Sequence, residues 1–153
     1  MSTDAVSTAT TTRSASFADL DAATLYALLR LRVDVFVVEQ ECAYPELDGR
    51  DTEPTTRHVW LEDDRGPAAY LRILADPDEV ARIGRVVVRA DARGRKLPGQ
   101  LMETALAEIG DRASVLSAQA HLADFYRRFG FVPTGPEFIE DGIPHLPMAR
   151  PAA

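Results

Sequence analysis

One stretch constrains the fold more than any other part of the 153-residue chain: Ile83-Gly-Arg-Val-Val-Val-Arg89, followed by a turn at Arg93–Gly99 and an amphipathic run. A β-branched run without alternation reads as a strand buried on both faces. From about Gln100 to Gly110, Leu101, Met102, Ala105, Leu106 and Ile109 recur at helical spacing and mark one apolar stripe. Strand, glycine turn and helix make an α/β unit whose strand needs a sheet around it.

The rest of the chain supplies that sheet. His58–Glu62 and Ala68–Leu74 flank Asp63-Asp64-Arg65-Gly66, a hairpin signal. Ser14–Ala18 reads as a short first strand, and Asp19 or Asp21 can cap a helix carrying Leu25, Leu28, Leu29, Val33 and Phe36. The β-branched run Val35–Val38 argues for a break near its end. Residues 39–56, punctuated by Pro45, Gly49 and Pro54, read as a long connection, a length that is usually functional. Ser114–Ala118 is another strand, and His121–Phe129 a helix stopped by Gly130. Phe131–Pro133 and His145–Ala149 are final strands, joined through Glu140-Asp141-Gly142. Residues 1–13 read as a flexible tail and 14–153 as one domain. The expected class is α/β (α+β): a mixed, mostly antiparallel twisted sheet flanked by helices.

Charge narrows the function. With 17 basic against 24 acidic residues the formal charge is −7, which argues against a nucleic-acid partner. The distribution says more than the sum. Residues 82–96 hold Arg82, Arg85, Arg89, Arg93, Arg95 and Lys96 against Asp91 alone. Residues 39–53 hold Glu39, Glu41, Glu46, Asp48, Asp51 and Glu53 against Arg50 alone. Such runs are usually solvated surface; the sharper expectation is an anion site beside a cation site. The single cysteine, Cys42, excludes an internal disulfide and a CxxC metal site, and a role for it as a nucleophile has no support beyond its presence. The three histidines show no metal-ligand spacing, so no metal is expected. No apolar run is long enough to span a bilayer, and the Ser/Thr/Ala-rich start lacks a secretory pattern. The expectation is a cytoplasmic protein without a membrane partner.

Two units can carry chemistry. A turn feeding a helix N-terminus offers unpaired N–H groups and a positive dipole end, a ready anion site. Asp124-Phe125-Tyr126-Arg127-Arg128-Phe129-Gly130-Phe131 places a tyrosine late in a short helix. Together they bring out a family. Arg93-Gly94-Arg95-Lys96-Leu97-Pro98 sits where GNAT N-acetyltransferases have Arg/Gln-x-x-Gly-x-Gly/Ala, and Phe125-Tyr126-x-Arg-Phe-Gly-Phe131 is similar to their C-terminal helix motif. Leu28-Leu29-x-Leu-Arg-Val-x-Val-Phe-Val-Val-Glu-Gln40, Tyr44-Pro45, Asp48-Gly49, Arg57-His58, Gln119-Ala120-His121 and Glu140-Asp-Gly-Ile-Pro-His145 resemble the ElaA-like branch. The resemblance covers about residues 15–150.

The resemblance implies an acyl-CoA-dependent acyltransferase moving acetyl from acetyl-CoA to a small-molecule or peptide amine by direct attack. The pyrophosphate would rest on Arg93, Gly94, Arg95, Lys96, Leu97, Pro98, Gly99 and Gln100. Val86, Val87 and Val88 would pair with the pantetheine arm, with Phe125 and Tyr126 beside it. The Val88 N–H would face the thioester oxygen. Tyr126 would protonate the departing thiolate. Glu39 is the first choice of base, ahead of His58, Glu140, His145 or a water chain. Glu39, Gln40, His58, Gln119, His121, Glu140 and His145 would border the acceptor. Lys96 and Pro98 replace the motif's glycines, and Pro98 has no N–H to give a phosphate. A homodimer would be the commonest assembly. The alternatives are a non-catalytic acyl-CoA-binding module, a synthase of the homoserine-lactone kind using adenosylmethionine, and a plain interaction domain.

Overall fold

The computed structural model describes residues 9–153. Eleven elements follow one another: β1 (Thr11–Ser16), α1 (Ala22–Arg32), β2 (Arg57–Asp63), β3 (Gly66–Ala75), β4 (Ala81–Val88), α2 (Leu97–Ile109), β5 (Ser114–Gln119), α3 (Ala123–Arg127), β6 (Val132–Pro133), β7 (Phe138–Glu140) and β8 (Ile143–Arg150). The strands form one sheet in the order β1-β2-β3-β4-β5-β8-β6, with β7 also on β8. Every pairing is antiparallel except β4 with β5. The expected fold class is therefore the observed one.

Both faces of the sheet are covered, which is why β4 reads as an unbroken Val run. On one face α2 buries Leu97, Leu101, Met102, Ala105 and Ile109 against Val59, Leu71 and Ile83. On the other, α1 and its extension bury Leu28, Leu31 and Val35 over Trp60, Tyr70 and Val87. Asp21, not Asp19, caps α1, accepting from the Thr24 N–H at 2.7 Å. The buried stripe runs through Leu31 and Val35 rather than Leu25, Leu29, Val33 and Phe36, which are only half-buried.

Three boundaries depart from expectation. Of the expected tail, residues 1–8 lie outside the described residues, whereas Thr11–Arg13 pair with β2, opposite Trp60–Glu62. The run Val33–Glu39 does not end the helix; it widens into a π-helical stretch, with Gln40 N–H on the Val35 carbonyl and Cys42 N–H on the Val37 carbonyl. Successive β-branched side chains crowd a tight α-turn, and a π-turn relieves the crowding. The expected helix His121–Phe129 shortens to α3 behind a 3-10 turn at Ala120–Leu122. The strand β7 was not expected. Its signal was Asp141-Gly142, both at positive φ (50° and 79°), the two-residue hairpin turn between Glu140 and Ile143.

Candidate active site

The parallel pair β4–β5 holds for only two positions, Ala81↔Ser114 and Arg82↔Val115. Beyond them the strands diverge while each keeps its other neighbour, β3 for β4 and β8 for β5. A cleft of about 360 Å³ opens there. Ile83 to Val86 line one wall and Leu116, Ser117 and Gln119 the other. Tyr126, His145 and Gln40 border it as well.

A bulge shapes the β4 wall. Tyr70 pairs with Val87 but Arg72 with Gly84, so β4 carries one extra residue. Arg85 takes the positive φ of 56° that this costs. Past the bulge the ladder alternates: Arg89 N–H donates to the Ala68 carbonyl at 2.8 Å. Val87 N–H then faces β3, while the Val88 N–H faces the edge that β5 has left.

The turn after β4 leads into α2. Gly94 (φ 82°) and Lys96 (φ 59°) hold left-handed conformations that bend the chain into the helix. Leu97 and Pro98 open α2, three residues earlier than expected. Pro98 thus sits where its missing N–H was unneeded by the helix, yet it removes one donor from the end. The flanking arginines are less free than the sequence implied. Arg82 pairs with Asp76, Arg85 with Glu46, Arg89 with Asp63 and Asp91, and Arg93 with Glu39 at 2.7 Å. Exposed Lys96 forms no ion pair among the described residues.

The acidic stretch 39–53 corrects the sequence reading more sharply. It is not an open cation site. Arg32, fully buried, donates to Glu46 Oε2 and Asp51 Oδ1, each at 2.7 Å. Arg72 binds Asp48 and Asp51, and Arg85 reaches Glu46. Three arginines and three carboxylates neutralise one another beneath the loop. The Arg72 hydrogen bond holds the Asp48 carboxyl far below the usual carboxylate range. Burial pushes Asp51 up, but the hydrogen bond and charge of Arg32, with Arg72, outweigh it and leave it lowered.

His58 belongs to this cluster and not to the cleft. It is 1% exposed, its Nδ1 is 2.6 Å from the Tyr70 hydroxyl, and its Nε2 is 3.0 Å from the Asp51 carbonyl. Burial lowers its pKa. A depressed folded-state pKa gives stability that is present above the unfolded value and lost as pH falls through the folded one. His58 therefore weakens the fold once pH drops below about 6.5, and Asp48 and Asp51 do so below about 3.9. Thermal melts will show Tm falling between about pH 7 and 5; a constant Tm there contradicts this account.

The remaining expected residues divide. Gln40, Val86, Gln119, Tyr126, Glu140 and His145 come together at the cleft. Exposed His121 does not reach it, and neither does Glu39, whose carboxylate is turned to Arg93. Tyr126 is 6% exposed, and burial alone pushes its phenol up to about 12. Its ring packs edge-on against Phe125 and Phe131, and no hydrogen bond engages its hydroxyl among the described residues. His145 Nδ1 lies 2.8 Å from the Ile143 carbonyl. That carbonyl can only accept, so in the neutral ring Nδ1 is the donor and Nε2 the acceptor. Sequence reasoning missed Tyr44, Arg72 and Gly84 as cleft residues. Arg72 left no signal, because an arginine inside an apolar strand reads as an edge residue.

Comparisons with known proteins agree with this geometry. The family described as "Acetyltransferase (GNAT) domain" matches residues 28–151. A UPF0039 protein of Mycobacterium tuberculosis is 52% identical over 139 residues, covering 88% of this chain and 89% of that one. Protein ElaA of Escherichia coli is 46% identical over 140 residues, covering 86% and 90%. The crystal structure of an acyl-CoA N-acyltransferase from Pseudomonas aeruginosa superposes with a TM-score of 0.87 at 44% identity, covering 92% of this chain and 99% of that one.

Proposed function

Because the chain belongs to the GNAT acetyltransferase family, we propose that it moves an acyl group, acetyl in the simplest case, from acyl-CoA to an amine by direct attack in a ternary complex. The observation that carries this reading is the parting of β4 from β5 after two residue pairs. It leaves an extended edge, faced by the Val88 N–H, running from the cleft toward the turn at Arg93–Gln100. A pantetheine arm fits that edge as a strand would. The turn and the first turn of α2 receive the pyrophosphate, with Lys96 adding charge.

The acceptor nitrogen attacks the thioester carbon. A C–N bond forms as the carbonyl electrons move to oxygen, where the Val88 N–H stabilises the developing charge and Val86 helps hold the arm. Collapse returns those electrons and breaks the C–S bond. His145 Nε2 takes the proton that the attacking nitrogen sheds. This role passes to His145 from Glu39, which is committed to Arg93, and from His58, which is buried away from the cleft. Tyr126 hydrogen-bonds the departing sulfur and supplies its proton. The phenoxide is then reprotonated from the imidazolium, so the products are the amide and the CoA thiol.

Titration calorimetry with acetyl-CoA tests the binding half. Wild-type protein binds, and Pro98→Ala, which restores one N–H, binds up to about tenfold tighter, as one hydrogen bond of about 1.4 kcal/mol allows. Absence of heat from both proteins overturns the reading.

A further inference from the structure

The cleft is chemically two-sided. On the β3–β4 wall three arginines retain unused donors. Arg72 is the deepest: its side chain is 4% exposed, its Nη atoms are spent on Asp48 and Asp51, and its buried Nε has no partner. An unpartnered buried N–H in a cleft wall is costly unless something that enters the cleft satisfies it. Arg82 engages only Nε, on Asp76 at 2.7 Å. Arg85 engages Nε and Nη2, both on Glu46. Among the described residues, the Nη atoms of Arg82 and the Nη1 of Arg85 are therefore unused.

Gly84 lies directly across the ladder from Arg72, so the two share one face of the sheet. A Cβ built on Gly84 would meet no atom within 4 Å. Glycine is not needed there for packing or for backbone conformation, and what its missing side chain leaves is open space beside Arg72.

The opposite wall is acidic. Glu140 and Asp141 border the cleft at the β7–β8 turn. Glu140 is largely exposed and its carboxylate lies 4.0 Å from His145 Nε2. No arginine or lysine pairs with either acid among the described residues, in contrast with the acids at 46–51.

On the acyltransfer reading above, we propose that the acceptor is an amino acid with a free carboxylate. Its carboxylate docks on Arg72 Nε and the free groups of Arg82 and Arg85 across Gly84, and its amine lies toward His145 and the Glu140–Asp141 turn. The acids draw in the ammonium form, which sheds one proton to solvent to become the neutral nucleophile, and His145 receives the second proton that the nitrogen loses on attack. The carboxylate supplies the acceptor oxygen that Arg72 Nε lacks.

The test compares each common amino acid with its carboxamide and its decarboxylated amine, at saturating acetyl-CoA, by release of CoA thiol. The expected result is a free amino acid whose kcat/KM exceeds that of both analogues by about 100-fold, the range of a hydrogen bond to a charged group. Arg82→Gln and Gly84→Val, neither of which touches the core, raise the KM for that amino acid about tenfold or more and leave the KM for acetyl-CoA unchanged. Equal or faster transfer to the carboxamide or decarboxylated amine overturns the proposal and leaves the acyltransfer reading standing. Unchanged amino acid KM in both variants also overturns it. No transfer to any amine overturns both.

Discussion

Arg32→Ala loses about 3–5 kcal/mol of stability, the usual cost of breaking a buried ion pair from one side. For a domain of this length that lowers Tm by roughly 10–15 °C. The reason is arithmetic of charge under the loop. Arg32, Arg72 and Arg85 face Glu46, Asp48 and Asp51 in a shared, largely buried network. Removing Arg32 leaves three carboxylates for two guanidiniums, in a place where water cannot screen the excess. Glu46 also accepts from the Tyr44 hydroxyl and Asp51 also holds His58, so the loss spreads to the cleft wall. Arg32→Lys recovers only part of it, because a lysine cannot reach Glu46 and Asp51 with separate nitrogens. Thermal melts decide; a Tm within about 2 °C of wild type contradicts the account.

Tyr126→Phe lowers kcat by about 100-fold while the KM for acetyl-CoA stays near wild type. The ring's packing survives the substitution, since the phenyl still meets Phe125 and Phe131 edge-on and no hydrogen bond to the described residues is lost. Only the proton near the departing sulfur goes. The wild-type pH profile gives a second readout. A tyrosine in water would ionise near pH 10 and switch off a proton donor there. With burial pushing Tyr126 up to about 12, kcat shows no descending limb at pH 10. A limb centred at 10, or unchanged turnover in Tyr126→Phe, removes the residue from the chemistry.

Much of the frame was legible in the sequence because it depends on local pattern. The Val86–Val88 run, the Asp63–Gly66 turn and the α2 stripe each fix an element through neighbours a few residues away. The parting of β4 from β5 after two residue pairs leaves open the Val86–Val88 edge on which the resemblance puts the pantetheine arm. What failed to show was long-range. Arg32 and Glu46 are 14 residues apart and Arg85 and Glu46 are 39 apart, so the charges at 39–53 and 82–96 read as two independent surfaces. In three dimensions Arg85 and Arg93 pair with Glu46 and Glu39, while Arg32 and Arg72 hold the acids at 46–51 and Asp76 and Asp63 take Arg82 and Arg89. The same reason hid where the candidate bases sit. Glu39 has the right neighbours in sequence, but the π-helical end of α1 brings it beside Arg93, while His145 reaches the cleft from the far end of the chain on β8. His58 looked available because strand alternation says nothing about a sheet covered on both faces.

The fold and cleft could serve a protein that holds acyl-CoA without reacting, so turnover is the direct test of acyl transfer. Wild-type protein mixed with acetyl-CoA and an amine panel will release CoA thiol in step with acylated amine, with rates that saturate in both substrates. Acetyl-CoA that binds yet stays intact with every amine offered would contradict the account and leave a binding module in its place.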